Sequence, residues 1–230
     1  MARAIDGLVF DKDGTLFDFR KSWGGWAKGL LVQMAQDDAH AHQLGQAIGY
    51  DLPTGEFAPD SPVIAATAAD IALALSRHLP GQTVSQITGH INAAAAMAPM
   101  APAVPLRPLL MALRARGLKI GLATNDTEAP ARAHLHAHGI IDLFDFIAGY
   151  DSGHGPKPGP GMCRAFAHHT GLSAARCAMV GDSLHDLHAG KAAGMQTIAV
   201  LTGVAERADL APAADVVLPD IGAIPAWLDS

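Results

Sequence analysis

The sequence predicts an α/β protein, a Rossmann-like, doubly wound parallel sheet with a helical domain inserted near its start. Three observations predict this. After about residue 105, short apolar runs alternate with helix-length segments, as βαβ units require. A further apolar run, Ile5-Asp6-Gly7-Leu8-Val9-Phe10, stands far ahead of the others. Between them, residues 19–97 are Ala-rich, are broken by Pro53, Gly55, Pro59 and Pro80-Gly81, and hold no convincing strand.

In chain order, 5–10 reads as a buried strand. Helices are expected at 26–35, 38–48, 63–78 and 84–97. Four prolines within 99–108 make that segment a stiff return linker. Strands then follow at 118–123, 144–148, 177–180, 197–201 and 216–218, with helices at 128–138, 159–170 and 184–193. The expected domains are an α/β core over 1–18 and 98–230 and a helical insertion over 19–97.

Composition narrows the function. The chain has 230 residues, 50% hydrophobic and 17% charged, which marks a globular protein. A net charge of −6 argues against a nucleic-acid partner. Cys163 and Cys177 are the only cysteines, too few for a disulfide framework or a cysteine zinc site, so a reducing, cytoplasmic setting is expected. The run at 7–10 is too short for a secretory leader and continues into Asp11-Lys12-Asp13. The long stretch without Asp, Glu, Lys or Arg after Arg77 is rich in Ala, Pro and Gly, so no membrane span is expected.

The chemistry gathers at strand ends. Asp11 and Asp13 follow the first strand with one residue between them, so both can point to one side, and Gly14 permits a sharp turn. The carboxyl ends of parallel strands are where open α/β sheets bind ligands. Taken alone, these aspartates could simply end a strand. Thr124-Asn125, Lys157 between Pro156 and Pro158, and Asp182 with Asp186 also fall after strands. Each has a structural alternative. Asn125 with Glu128, and Ser183 with Asp186, both fit a helix capping box, and Lys157 could be a solvated loop residue. Together they put a hydroxyl, an amine and carboxylates on one sheet edge.

Asp11-Lys12-Asp13-Gly14-Thr15, Thr124-Asn125, Lys157-Pro158 and Gly181-Asp182-Ser183-Leu184-His185-Asp186 resemble, in order and spacing, the four motifs of the haloacid dehalogenase-like (HAD) superfamily. The core resembles its phosphoglycolate phosphatase-like branch, with 19–97 where that branch carries a helical cap. The resemblance implies a Mg²⁺-dependent phosphatase acting on a small phosphate monoester. Asp11 would be the nucleophile and Asp13 the acid and base, with Thr124 and Lys157 completing the catalytic set. Gly14, Thr124, Asn125, Lys157 and Arg20 would bind the substrate. Asp11, Asp13 through its carbonyl, Asp182 and Asp186 would serve the metal. Four carboxylates against one lysine leave such a site at −3 if all are ionised, so a hard divalent cation with oxygen ligands suits it. Phosphoglycolate is the first substrate this suggests, and short sugar phosphates the next. A phosphomutase of the same branch, or a HAD-fold binding protein without catalysis, are the alternatives.

Other features read as incidental. Gly181-Asp182-Ser183-Leu184 spells a serine-esterase motif, but no histidine follows His188 to serve as base. His134 and His138 are expected on a solvated helix surface, and Trp23 and Trp26 in the core of the cap. Among the cap's cations, Arg20 and Lys21 are nearest the catalytic loop and best placed to reach an anionic group. A monomer or homodimer is expected, with no membrane partner.

Overall fold

The computed structural model describes residues 5–230, so residues 1–4 of the expected core segment lie outside it. Strand β1 (Gly7–Phe10) is followed by helices α1 (Phe19–Met34) and α2 (Asp38–Ala47), a hairpin of β2 (Tyr50–Asp51) and β3 (Glu56–Phe57), and helices α3 (Pro62–Ala65), α4 (Ala68–Ser76) and α5 (Val84–Ala96). The core then continues as α6 (Leu106–Ala115), β4 (Lys119–Ala123), α7 (Glu128–Ala137), β5 (Phe146–Ala148), α8 (Gly161–Thr170), β6 (Cys177–Gly181), α9 (Leu184–Ala193), β7 (Gln196–Val200), α10 (Arg207–Leu210), β8 (Val216–Leu218) and α11 (Ile224–Leu228).

The six core strands form one parallel sheet in the order β5-β4-β1-β6-β7-β8. The chain winds outward from β1 through β4 to β5, then crosses to β6 and winds the other way. The reversal opens a crevice beside β1, where such sheets bind ligands. Leu8, Val9 and Phe10 are fully buried, as a central strand covered on both faces requires.

Helices 19–97 carry a hydrophobic cluster of their own, built on Leu30, Leu31, Leu44, Ile71, Leu75 and Ile87. Here the structure departs from the expected elements. The first cap helix starts at Phe19, where Asp18 accepts from the Lys21 N–H; its glycine pair Gly24-Gly25 obscures the helical pattern. The expected helix at 63–78 is two helices, because Thr67 and Asp70 form a capping box that starts α4 afresh. The cap also holds the short hairpin β2–β3, with Tyr50 opposite Phe57, too brief to show an alternating pattern. Part of the expected linker is helical: α6 starts at Leu106, and Pro108 falls in its first turn, where no intrahelical N–H is lost.

Candidate active site

Register assembles the site. Phe10 lies opposite Leu122 on β4 and Val180 on β6. Asp11 therefore leaves the sheet between the ends of its two neighbours, and its N–H donates to the Val180 carbonyl at 2.8 Å. Thr124 and Asp182 leave β4 and β6 at the same level.

Lys157 reaches this point from the loop after β5. Its Nζ lies 2.5 Å from Asp11 Oδ1 and 2.6 Å from Asp186 Oδ1. The loop is held by Asn125, whose side-chain oxygen accepts from the Lys157 N–H at 2.8 Å and whose Nδ2 donates to the Lys157 carbonyl at 3.0 Å. Asn125 is thus a clamp on the lysine loop. The cap of α7 is Thr127 instead. Nδ2 also donates to the Ala65 carbonyl at 2.8 Å, and His185 Nδ1 lies 3.1 Å from the same oxygen, so two core side chains grip the cap at the α3–α4 break. Thr124 Oγ1 accepts from the Asp126 N–H at 3.0 Å, which leaves its hydroxyl proton free to donate.

Asp11, Asp182 and Asp186 are buried, and one oxygen from each lies within 4.8 Å of the others. Gly14, at φ +78°, and Gly203 make the slot for Asp182: a Cβ at either would overlap its carboxylate. Asp186 both faces Lys157 and completes the capping box of α9 with Ser183. Burial raises the Asp11 pKa to about 7, with Asp186 and Asp13 adding to the shift and Lys157 opposing it. Burial likewise raises Asp182 well above the usual carboxylate range, reinforced by Asp186 and Asp11. Burial works against the Lys157 charge, but Asp11 and Asp186 outweigh it and hold the ammonium above the ordinary lysine range. Three crowded, buried, hard oxygen donors fit a divalent cation.

The Asp13 carboxylate lies outside that group and faces the cap. Lys12 Nζ approaches its two oxygens at 2.9 and 2.8 Å, and Trp23 Nε1 donates to Oδ1 at 2.8 Å. Lys12 is fully buried. It also pairs with Asp126 at 3.1 Å, stands 3.2 Å from His134 Nδ1, and lies 5.1 Å from the Trp23 ring centroid. Sequence reasoning missed Lys12. The one available signal was its position, a lysine between two carboxylates immediately after a buried strand. His134 does not lie on the solvated helix surface expected for it. His134 is buried, with Nε2 2.7 Å from the Ala95 carbonyl of the cap, because helix α7 turns it toward Lys12. Trp23 reaches the Asp13 carboxylate besides packing in the core.

Two expected binding residues are not brought to the site. Arg20 is 60% exposed and paired with Glu56 at 3.1 Å, and its neighbour Lys21 is 72% exposed and paired with Asp18. Gly14 spends its N–H on Phe17 and its carbonyl on Thr202, so it makes room for Asp182 and has no N–H to offer a phosphate.

Over the carboxylates lies a cavity of about 620 Å³, its open mouth included. It is bounded by Asp11, Asp13, Thr124, Asn125 and Lys157 on one side and by cap residues on the other. The haloacid dehalogenase-like hydrolase family model matches residues 5–194, a span that contains every one of these core groups. The chain belongs to the haloacid dehalogenase-like hydrolases. It is 31% identical to the phosphoglycolate phosphatase of Rhodospirillum rubrum, over 96% of this chain and 90% of that one. It is 32% identical to that of Yersinia pseudotuberculosis, over 87% and 83%. The crystal structure of a predicted phosphoglycolate phosphatase from Haemophilus somnus superposes with a TM-score of 0.77 at 18% identity, covering 99% of both chains. This HAD-like hydrolase therefore falls in the phosphoglycolate phosphatase-like branch and is a phosphatase. Among its described residues, no helix is long and apolar enough to cross a membrane.

Proposed function

We propose that the protein hydrolyses a small-molecule phosphate monoester, with Mg²⁺, through a phosphoaspartyl intermediate on Asp11. The observation that carries this reading is the Asp11–Lys157–Asp186 arrangement at the strand ends, 2.5 and 2.6 Å across the lysine, beneath a cavity roofed by the cap.

In the first half-reaction an Asp11 oxygen attacks phosphorus, and the bond to the ester oxygen breaks. Asp13 gives its proton to the departing oxygen. In the second, water attacks phosphorus, Asp13 takes the water's proton, and the bond to Asp11 breaks to release phosphate. Lys157 fixes Asp11 Oδ1 and offsets charge building on the phosphoryl oxygens, to one of which Thr124 donates its hydroxyl proton. Asp11, Asp182, Asp186 and the Asp13 carbonyl would hold Mg²⁺, which when bound supplies positive charge against the substrate dianion. Asn125 keeps Lys157 in place and the cap excludes bulk water.

The roof limits the substrate to molecules that fit beneath it, which favours small metabolites over phosphoproteins. The net charge of −6 supports action without a nucleic-acid partner. The enzyme would act in the cytoplasm, as a monomer or homodimer. The names of the relatives put phosphoglycolate in the first assay set. The test is phosphate release from small esters with and without Mg²⁺, using wild type and Asp11→Asn. Release that needs the metal and vanishes in Asp11→Asn is expected. Undiminished release after full chelation would overturn the reading.

A further inference from the structure

We infer that the ester this enzyme prefers carries an uncharged, largely apolar alcohol, and that the cap wall formed by Trp26, Val63, Ile64, Ile71, Ile91 and Ala95 selects it. This rests on the phosphatase reading above and names the substrate class of the same site.

The cavity has two unlike halves. The core half carries Asp11, Asp13, Asp126 and Lys157. The cap half carries aliphatic side chains and two indoles, Trp23 and Trp26, and Ile71 and Ile91 are also buried in the cap's own hydrophobic cluster. An anionic alcohol, such as a hydroxy acid, needs a cation on the cap side. The described cap has four, Arg20, Lys21, Lys28 and Arg77, and all are exposed and line no part of this cavity. Arg20 and Lys21 are held outside by Glu56 and Asp18. Lys157, the ammonium in the lining, already meets Asp11 and Asp186. His185 turns Nδ1 to the Ala65 carbonyl, and Ser183 donates to Asp186.

A second carboxylate on the substrate would thus leave water for an apolar wall facing three aspartates, with no free counter-charge. Burying an unpaired charge is strongly unfavourable, whereas each methylene placed against such a wall favours binding. Trp26 adds one polar feature. Its Nε1 is buried and has no hydrogen-bond partner among the described residues.

The test compares kcat/KM in Mg²⁺ for methyl, propyl and 3-methylbutyl phosphate, ribose 5-phosphate, 2-phosphoglycolate and p-nitrophenyl phosphate. The expected result is a rise of about three- to tenfold per added methylene until the wall is covered, with 3-methylbutyl phosphate at least tenfold above 2-phosphoglycolate. Ile64→Arg, at a half-buried position on the wall, is expected to raise 2-phosphoglycolate relative to 3-methylbutyl phosphate. Wild-type preference for 2-phosphoglycolate or ribose 5-phosphate over the alkyl esters overturns the inference and leaves the phosphatase reading standing. Lack of turnover on every ester, p-nitrophenyl phosphate included, overturns the phosphatase reading instead. In that event calorimetric binding of 3-methylbutylphosphonate against phosphonoacetate still decides the inference: tighter phosphonoacetate overturns it, and tighter alkylphosphonate supports it.

Discussion

Trp23 Nε1 donates to Asp13 Oδ1 at 2.8 Å. Trp23 belongs to the first cap helix and Asp13 to the loop after the central strand, so the cap supplies a hydrogen bond to the proposed acid and base. From the other side Lys12 holds the same carboxylate through both oxygens. The acid is thereby fixed between a buried ammonium and an indole N–H, and its orientation depends on where the cap sits.

Removing the indole donor while keeping a ring tests that dependence. Trp23→Phe is expected to lower kcat roughly tenfold on alkyl phosphates, the scale of one hydrogen bond to a charged group. The loss should shrink on p-nitrophenyl phosphate, whose leaving group needs little protonation. Steady-state kinetics on both esters checks this, and an equal loss on the two would argue against action through Asp13.

Lys12 is fully buried among Asp13, Asp126 and His134. Burial opposes its charge, but Asp13 and Asp126 outweigh that and hold its pKa above the ordinary value. Lys12→Met leaves two carboxylates without their cation, and breaking such a buried pair typically costs about 3–5 kcal/mol. Lys12→Met with Asp126→Asn is expected to recover part of this. Denaturant midpoints of the two variants provide the check, and a single variant as stable as wild type would contradict it.

His134 links stability to pH. Burial, reinforced by the nearby Lys12 charge, lowers its pKa from 6.5 to about 4. The unfolded chain then binds a proton at this residue more readily than the folded one. Stability from the neutral imidazole is complete above pH 6.5 and is lost as pH falls toward 4. At about 1.4 kcal/mol per unit, roughly 3 kcal/mol is at stake across that window. His134→Gln is expected to flatten the decline in chemical-denaturation curves between pH 7 and 4.5. An unchanged slope in the variant would place the acid sensitivity elsewhere.

Metal affinity should depend on pH through Asp11. Its pKa is raised to about 7, by burial first and then by Asp186 and Asp13, so part of the metal-free protein carries a proton there at neutral pH. Binding a divalent cation must displace it. Mg²⁺ affinity is expected to increase with pH up to and somewhat above 7, and calorimetry in buffers of different ionisation enthalpy should show proton release. Binding that is independent of pH between 6 and 8 would contradict this.

How much of this was legible depended on distance along the chain. The strand-end residues Asp11, Thr124 and Asp182 could be read because each follows an apolar run, and the sheet register does the rest; Lys157 lies in the loop beyond β5 and is brought in by the Asn125 clamp. The Thr67–Asp70 box was equally local, but the apolar residues on either side hid the break. Lys12 and His134 were not legible as partners, because 122 residues separate them and neither position signals burial by itself. Arg20 illustrates the opposite error: closeness in sequence to the catalytic loop suggested a role, but Glu56 across the cap holds it at the surface. Nor could the sequence reveal the apolar wall, which combines side chains from helices far apart in the chain.

The covalent step on Asp11 can be caught by trapping the phosphoenzyme. The enzyme is mixed with a turning-over ester in Mg²⁺, quenched in acid and digested, and the peptide containing Asp11 is examined by mass spectrometry. One added phosphoryl group is expected on Asp11, removed by hydroxylamine and missing in Asp11→Asn. Efficient turnover with no phosphorylated Asp11 at any quench time, or with the phosphoryl group on another side chain, would contradict it.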